Sequence, residues 1–119
     1  MLITEDMRIV DFQNAFNEKF PGLRIEFYKK KHDVNAGSLK EDQYENSIQL
    51  AQISTKGQLG DIAIDPSMSV ADLEQQFENN FGLHVQVFRR SNTLWLQTSS
   101  TDDWTLETQN TKGLHSMVS

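Results

Sequence analysis

"MSVADLEQQFENNFGLHVQVFRR", residues 68–90, carries two different apolar periods back to back. Val70, Leu73, Phe77 and Phe81 fall at i, i+3, i+7 and i+11, which lie along one stripe of an α-helix and cannot share one face of a strand. Ser69 opens the stripe with Asp72 three residues on, a capping-box-like start that gives free backbone N–H groups an acceptor. Gly82 closes it, suiting a helix stop where positive φ is cheap without a Cβ. The period then changes to two. Leu83, Val85 and Val87 alternate with His84, Gln86 and Phe88, the pattern of a half-buried strand.

The same phrase stands earlier as "MRIVDFQNAFNEKFPGLRIEFYKK", residues 7–30. Ile9, Phe12, Phe16 and Phe20 each lie 61 positions before Val70, Leu73, Phe77 and Phe81. One extra residue, Pro21, shifts the offset to 60, so that Gly22 matches Gly82 and Leu23, Ile25 and Phe27 match the second strand. Arg8 occupies the cap position and cannot accept hydrogen bonds, so Asp6 is expected to cap an earlier helix start. Upstream, Leu2-Ile3 and Ile62-Ala63-Ile64 could supply a strand to each copy. A last echo pairs "STKG" at 54–57 with "NTKG" at 110–113, each read as closing a short helix with its glycine as the stop. Ile48/Leu50 and Trp104/Leu106 are spaced by two, so 47–56 and 102–112 fit strands equally well.

The expected fold is therefore α+β, two pseudo-symmetric β-α-β(β)-α halves, 2–57 and 62–113, forming one domain with a sheet packed on helices. Residues 114–119 are expected to be a flexible tail. Two copies are too few for a solenoid. The length of 119 residues suits one domain with a core of its own.

Composition narrows the function. With no cysteine, a disulfide framework, a thiolate metal site and a cysteine nucleophile are all excluded. The start, "MLITEDMRIV", places Glu5 and Asp6 where a secretory signal would carry basic residues before a longer apolar run, and a cytoplasmic setting is expected. No stretch approaches the roughly 20 apolar residues of a membrane span. The net charge of −6 disfavours nucleic acid as a partner. Its distribution is uneven: residues 1–60 hold eight Lys/Arg against nine Asp/Glu, and 61–119 hold three against eight.

The two copies diverge after the strand. The first runs into "DVNAGSLKEDQYEN", a polar stretch without period that reads as a surface loop. The second, "FRRSNTLWLQTSS", reads as a hairpin turning at Ser91-Asn92, which would pair Phe88 with Trp95 and Val87 with Leu96. Leu83, Val85, Val87, Leu94 and Leu96 then face the core, and His84, Gln86, Phe88, Arg90, Trp95 and Gln97 face away. The matching outward set in the first copy is Arg24, Glu26, Tyr28 and Lys30. Three readings of this aromatic outward face stay open: a second small core under a loop or terminal helix, a recognition surface for a protein, and a platform for stacked bases.

Other constellations are weaker. Lys29-Lys30-Lys31 and Arg89-Arg90 end matching strands, and read either as solvated charge that guards strand edges or as an anion site. Asp102, Asp103 and Glu107 follow Thr101 and suit a helix N-terminus better than a metal site. His32, His84 and His115 occur singly. No nucleophile elbow, phosphate-binding glycine loop, HExxH or dinucleotide fingerprint is present. A catalytic reading would require a concave pocket gathering a histidine with acids.

The segment 68–90, with "TSSTDDWTLETQN" behind it, resembles small uncharacterised bacterial proteins of about this length, a resemblance that covers mainly the second half and implies a bacterial cytosolic setting. The function expected from the residues is a non-enzymatic protein-binding or assembly module using Tyr28, Lys30, Phe88, Arg90 and Trp95. Its partner would be another protein or a second copy of the chain, with no cofactor, metal or membrane. The alternative is nucleic-acid or anionic-ligand binding through the basic strand-end clusters.

Overall fold

The computed structural model describes residues 1–32 and 36–117, and the centre of the polar stretch, 33–35, lies outside them with the last two residues. Along the chain come α1 (Ile9–Lys19), β1 (Leu23–Tyr28), the single turn α2 (Leu50–Ile53), α3 (Val70–Phe81), β2 (His84–Ser91), β3 (Leu94–Gln97) and α4 (Leu106–Ser116). The two long apolar stripes fold as α1 and α3, and the two alternating runs as β1 and the first part of β2.

α3 begins as expected: the Asp72 amide donates to Ser69 Oγ at 3.0 Å. It ends on Gly82 at φ 62°, whose N–H bonds back to Glu78 O. α1 differs, because Asp6 does not cap it. The Thr4 hydroxyl donates to Asp6 instead, and the helix starts at Ile9 with the Arg8 amide donating to Asp11 Oδ2 at 2.9 Å. An acid three residues inside the helix thus supplies the acceptor half of a capping box that Arg8 cannot.

The sheet is antiparallel, in the order β1-β2-β3. β1 and β2 pair directly: Leu23 opposite Arg89, Ile25 opposite Val87, Phe27 opposite Val85 and Tyr28 opposite His84. Leu2-Ile3 and Ile62-Ala63-Ile64 do not join it. They meet each other in one bridge, Leu2 to Asp61, with Ile3 N donating to Gly60 O and Ile62 N to Met1 O. Ile3 and Ile62 are buried there, so the pair serves as a clasp under the helices.

Segments 47–56 and 102–112 prove to be both things their spacing allowed. Gln49 and Thr105 are extended and bridge to Arg8 and Ser69, and a helix starts at the next residue in each case. Ile9 N donates to Ile48 O, Val10 N to Asn46 O and Leu50 N to Met7 O. In the second half Val70 N donates to Trp104 O, Ala71 N to Asp102 O and Leu106 N to Met68 O. First-turn amides, which have no partner within their own helix, thereby find carbonyls in the chain entering the neighbouring helix.

The echoed glycines do different work. Gly57 turns the chain at φ 87°, after α2 has ended. Gly113 is not a stop; it lies inside α4, packed against Gly22, where a Cβ on either would overlap backbone of the other segment. α4 continues through Ser116, whose Oγ donates to Arg90 O at 2.9 Å and accepts from Asn92 N at 3.1 Å, so 114–116 are held against the hairpin.

One core draws on both halves of the chain, from Ile3 to Leu106. Phe12 of α1, Phe27 of β1 and Phe77 of α3 meet with centroids 5.4–6.0 Å apart, each pair at 84°. Edge-to-face packing of this kind adds about 0.5–1.5 kcal/mol per pair beyond the area buried. The Cα radius of gyration, 13.4 Å, matches the roughly 13.5 Å of a single compact domain of this length.

Candidate functional site

The hairpin turns one residue later than expected, at Asn92-Thr93, with Asn92 at φ 54°. Phe88 consequently pairs with Gln97, Arg89 with Leu96, Arg90 with Trp95 and Ser91 with Leu94, in place of Phe88 with Trp95 and Val87 with Leu96. Because the pairing moves by two residues, every side chain keeps its face. Leu94 and Leu96 lie on the side of Val87 but run beyond the helices, and are 62% and 45% exposed.

Of the expected outward residues, the sheet brings three together. Phe88 and Trp95 are half-buried and line a groove of about 190 Å³ with Arg24, Glu26, Lys40 and Gln43. The Arg90 guanidinium stands 5.2 Å from the Trp95 ring centroid. Tyr28 and Lys30 are at the other end of β1. Tyr28 is buried, its hydroxyl donating to Gln43 Oε1, and burial with Glu26 nearby pushes its pKa well up. Lys30 is exposed, 4.0 Å from Asp42.

What covers Tyr28 is the polar stretch itself. Residues 36–44 cross the outward face as a strap, tied at one end by Ser38 N to Gln97 Oε1 (2.9 Å) and Gln97 Nε2 to Ser38 O (2.8 Å). At the other end Lys29 N donates to Asp42 O and Tyr44 N to Phe27 O, both at 2.8 Å. The strap also closes part of the sheet's β1 edge. Amides from α1 close the rest: Gln13 Nε2 donates to Ile25 O and Asn17 Nδ2 to Leu23 O, both at 2.8 Å.

The β3 edge is different. In a two-residue hairpin the pair flanking the turn is hydrogen-bonded and the next pair is not. Thr98 N to Val87 O, 3.1 Å, keeps that alternation. The N–H and C=O of Trp95, opposite Arg90, therefore point away from β2 towards the open edge.

The basic clusters do not converge. Lys29–Lys31 follow Tyr28, which pairs with His84, whereas Arg89 pairs with Leu23 at the far end of the same ladder. Lys29 lies over Tyr44 and Arg89 over Trp104, with Arg89 Nη1 donating to Gln109 Oε1 at 2.9 Å.

A second concavity, which single residues in the sequence do not signal, opens where β2 begins. It measures about 220 Å³ and is lined by Lys31, His32, Ala71, Glu74, Gln75, Glu78, His84, Val85 and Asp102. Two histidines meet acids here, the arrangement a catalytic reading would require. His84 Nδ1 is 2.5 Å from Glu78 Oε2, across the turn from α3 to β2. His32 Nε2 is 3.5 Å from Glu74 Oε2 and 3.3 Å from Val85 O. Burial pushes the Glu74 carboxyl above its usual range and Asp102 pushes the same way, against the pull of His32 and the Val87 amide. Asp102 is 3% exposed and precedes the N-cap of α4, Thr105, by three residues, so it belongs to this pocket and not to a helix start. The six-residue spacing of Glu78 and His84 across Gly82 was the available signal; the spacing of His32 from Glu74 carried none.

Among the described residues no three His, Asp or Glu side chains are placed to hold a metal ion. No helix among them is long and apolar enough to cross a membrane. Comparison with known proteins finds no matching family model, no matching curated protein and no matching solved structure.

Proposed function

We propose that the chain is a non-enzymatic protein-binding module that takes an extended segment of a partner along the open edge of β3. The observation that carries this is the asymmetry of the sheet: the β1 edge is capped by Gln13, Asn17 and the strap, while β3 turns the Trp95 N–H and C=O outward between exposed Leu94 and Leu96. A hydrophobic edge left open in this way is a template for a further strand. The neighbouring groove adds Phe88 and the Trp95 ring, with Arg24, Lys40 and Arg90 outnumbering Glu26 around it. In a chain of net charge −6 this is a local cationic rim, and it favours a segment that alternates apolar with acidic residues. A cytoplasmic setting belongs to the same proposal, and the absence of cysteine is consistent with it. So does the reading of the two halves as copies of one helix–strand unit, which the matched bonds of Ile9, Val10 and Leu50 with Val70, Ala71 and Leu106 support.

Selection of short random peptides against the purified chain tests the proposal. The expected result is enrichment of alternating apolar and acidic sequences whose binding shifts the amide resonances of 94–97 and is lost in Leu96→Glu. Peptides that perturb other residues, or that bind Leu96→Glu equally well, would overturn it. A dimer in sedimentation that Leu96→Glu dissolves would replace the foreign segment with a second copy of the chain.

A further inference from the structure

We infer that the pocket between α3 and the start of β2 binds a small organic cation headed by a primary ammonium or guanidinium group, with Glu74 as its principal anchor. The inference does not rest on the β3 edge, which lies at the other end of β2.

The reasoning starts from donors and acceptors. The Glu74 side chain is 10% exposed, and its Oε2 is buried with no hydrogen bond. His32 Nε2 stands 3.5 Å from it and only 3.3 Å from Val85 O. One ring N–H cannot serve both well. A buried carboxylate oxygen left without a donor costs on the order of 1–3 kcal/mol, and more when charged, so a ligand bearing N–H groups recovers that cost.

Charge sets the sign of the ligand. Glu74, Glu78 and Asp102 face the cavity against Lys31, so its carboxylates outnumber its lysine three to one. An anion is repelled. A divalent metal fails on geometry, because the described histidines and acids do not converge on one point. Size is the remaining limit: about 220 Å³ is below the roughly 300–1,000 Å³ of drug-sized sites and suits a short amine. No Ser, Thr, Tyr or Cys lines the cavity among the described residues, which leaves no hydroxyl or thiol nucleophile and makes capture of a ligand the better reading than covalent chemistry.

The test titrates the chain with butylammonium and with agmatine, using n-butanol as the neutral control, and follows the ring resonances of His32 and His84. The expected result is saturable shifts of both rings with a dissociation constant of about 1 mM or tighter, no response to n-butanol, and a loss of at least tenfold in Glu74→Gln. Ala71→Leu, which narrows the cavity without touching a charge, should also abolish binding. Absence of a saturable shift with either amine would overturn the inference. So would equal binding by Glu74→Gln, or a response to Zn²⁺ with none to the amines.

Discussion

Gly22 and Gly113 approach so closely that a Cβ on Gly113 would overlap the Gly22 carbonyl, and one on Gly22 would come 2.5 Å from Asn110 O. Neither residue has a positive φ, so conformational freedom is not what they supply. They supply thinness where α4 crosses the chain entering β1. Helix propensity alone would have Gly113→Ala stabilise the protein by about 1 kcal/mol. Overpacking costs about 1–3 kcal/mol and opposes it. The expected outcome of urea unfolding is a net loss of up to about 2 kcal/mol, and a gain would show that the two segments can separate freely. Glu74 gives a prediction of the opposite kind. Its folded-state pKa is raised by burial from a reference of 4.5, so the folded protein binds this proton more readily than the unfolded chain. Stability then falls as pH rises from about 4.5 through the raised folded value. Glu74→Gln should accordingly be more stable than wild type at neutral pH, with the difference shrinking as pH drops through the raised folded value towards 4.5 and levelling off below it. A difference independent of pH would show that the carboxyl titrates alike in both states.

At the scale of elements, the strap over the sheet depends on one side chain. Gln97 both accepts from Ser38 N and donates to Ser38 O, two bonds worth about 0.5–1.5 kcal/mol each. In Gln97→Leu the strap should open locally, with hydrogen exchange at Ser38 faster by roughly tenfold to a hundredfold while the midpoint of global unfolding moves little. Unchanged exchange would mean that the bonds at Asp42 and Tyr44 suffice to hold the whole segment. The strap also marks where reading the sequence stops. α1, α3, β1 and the start of β2 were legible because periods of 3.6 and 2 separate cleanly over the phenylalanines and the alternating Leu, Ile and Val. The faces of the hairpin were legible for the same reason. Its register was not, since a shift of two residues leaves every face unchanged and only the φ of Asn92 decides between the two turns. The strap leaves no periodic trace, because its hold on the sheet comes from single amide and backbone bonds among polar residues. The pocket was hidden differently: His32 and Glu74 are 42 residues apart in sequence and meet only once both halves are folded.

At the scale of the molecule, the two halves contribute unequally to one interior. Phe12 and Phe27 come from the first and Phe77 from the second, and the longest ladder of the sheet, β1 with β2, crosses between them. Neither half can complete a sheet with a covered face by itself, and fragments of 57 and 62 residues bury a smaller share of their surface than the whole chain, which leaves chain entropy the upper hand. Cutting after Gly57, which is exposed and turns the chain at φ 87°, separates the halves without dividing a helix or strand. Fragments 1–57 and 58–119 should each be unfolded by circular dichroism. Mixed in equal amounts they should regain the spectrum of the intact chain, because the ring cluster and the β1–β2 ladder form between them and not within either. The fragments carry net charges of 8 − 9 = −1 and 3 − 8 = −5, so their mutual repulsion is weak and moderate salt should strengthen the association slightly by screening it. A fragment that folds alone would show that the shared core is not needed for each half to hold its shape. Failure of the mixture to fold would assign the stability instead to the covalent link, which keeps Met1–Ile3 and Gly60–Ile62 close enough to form their clasp.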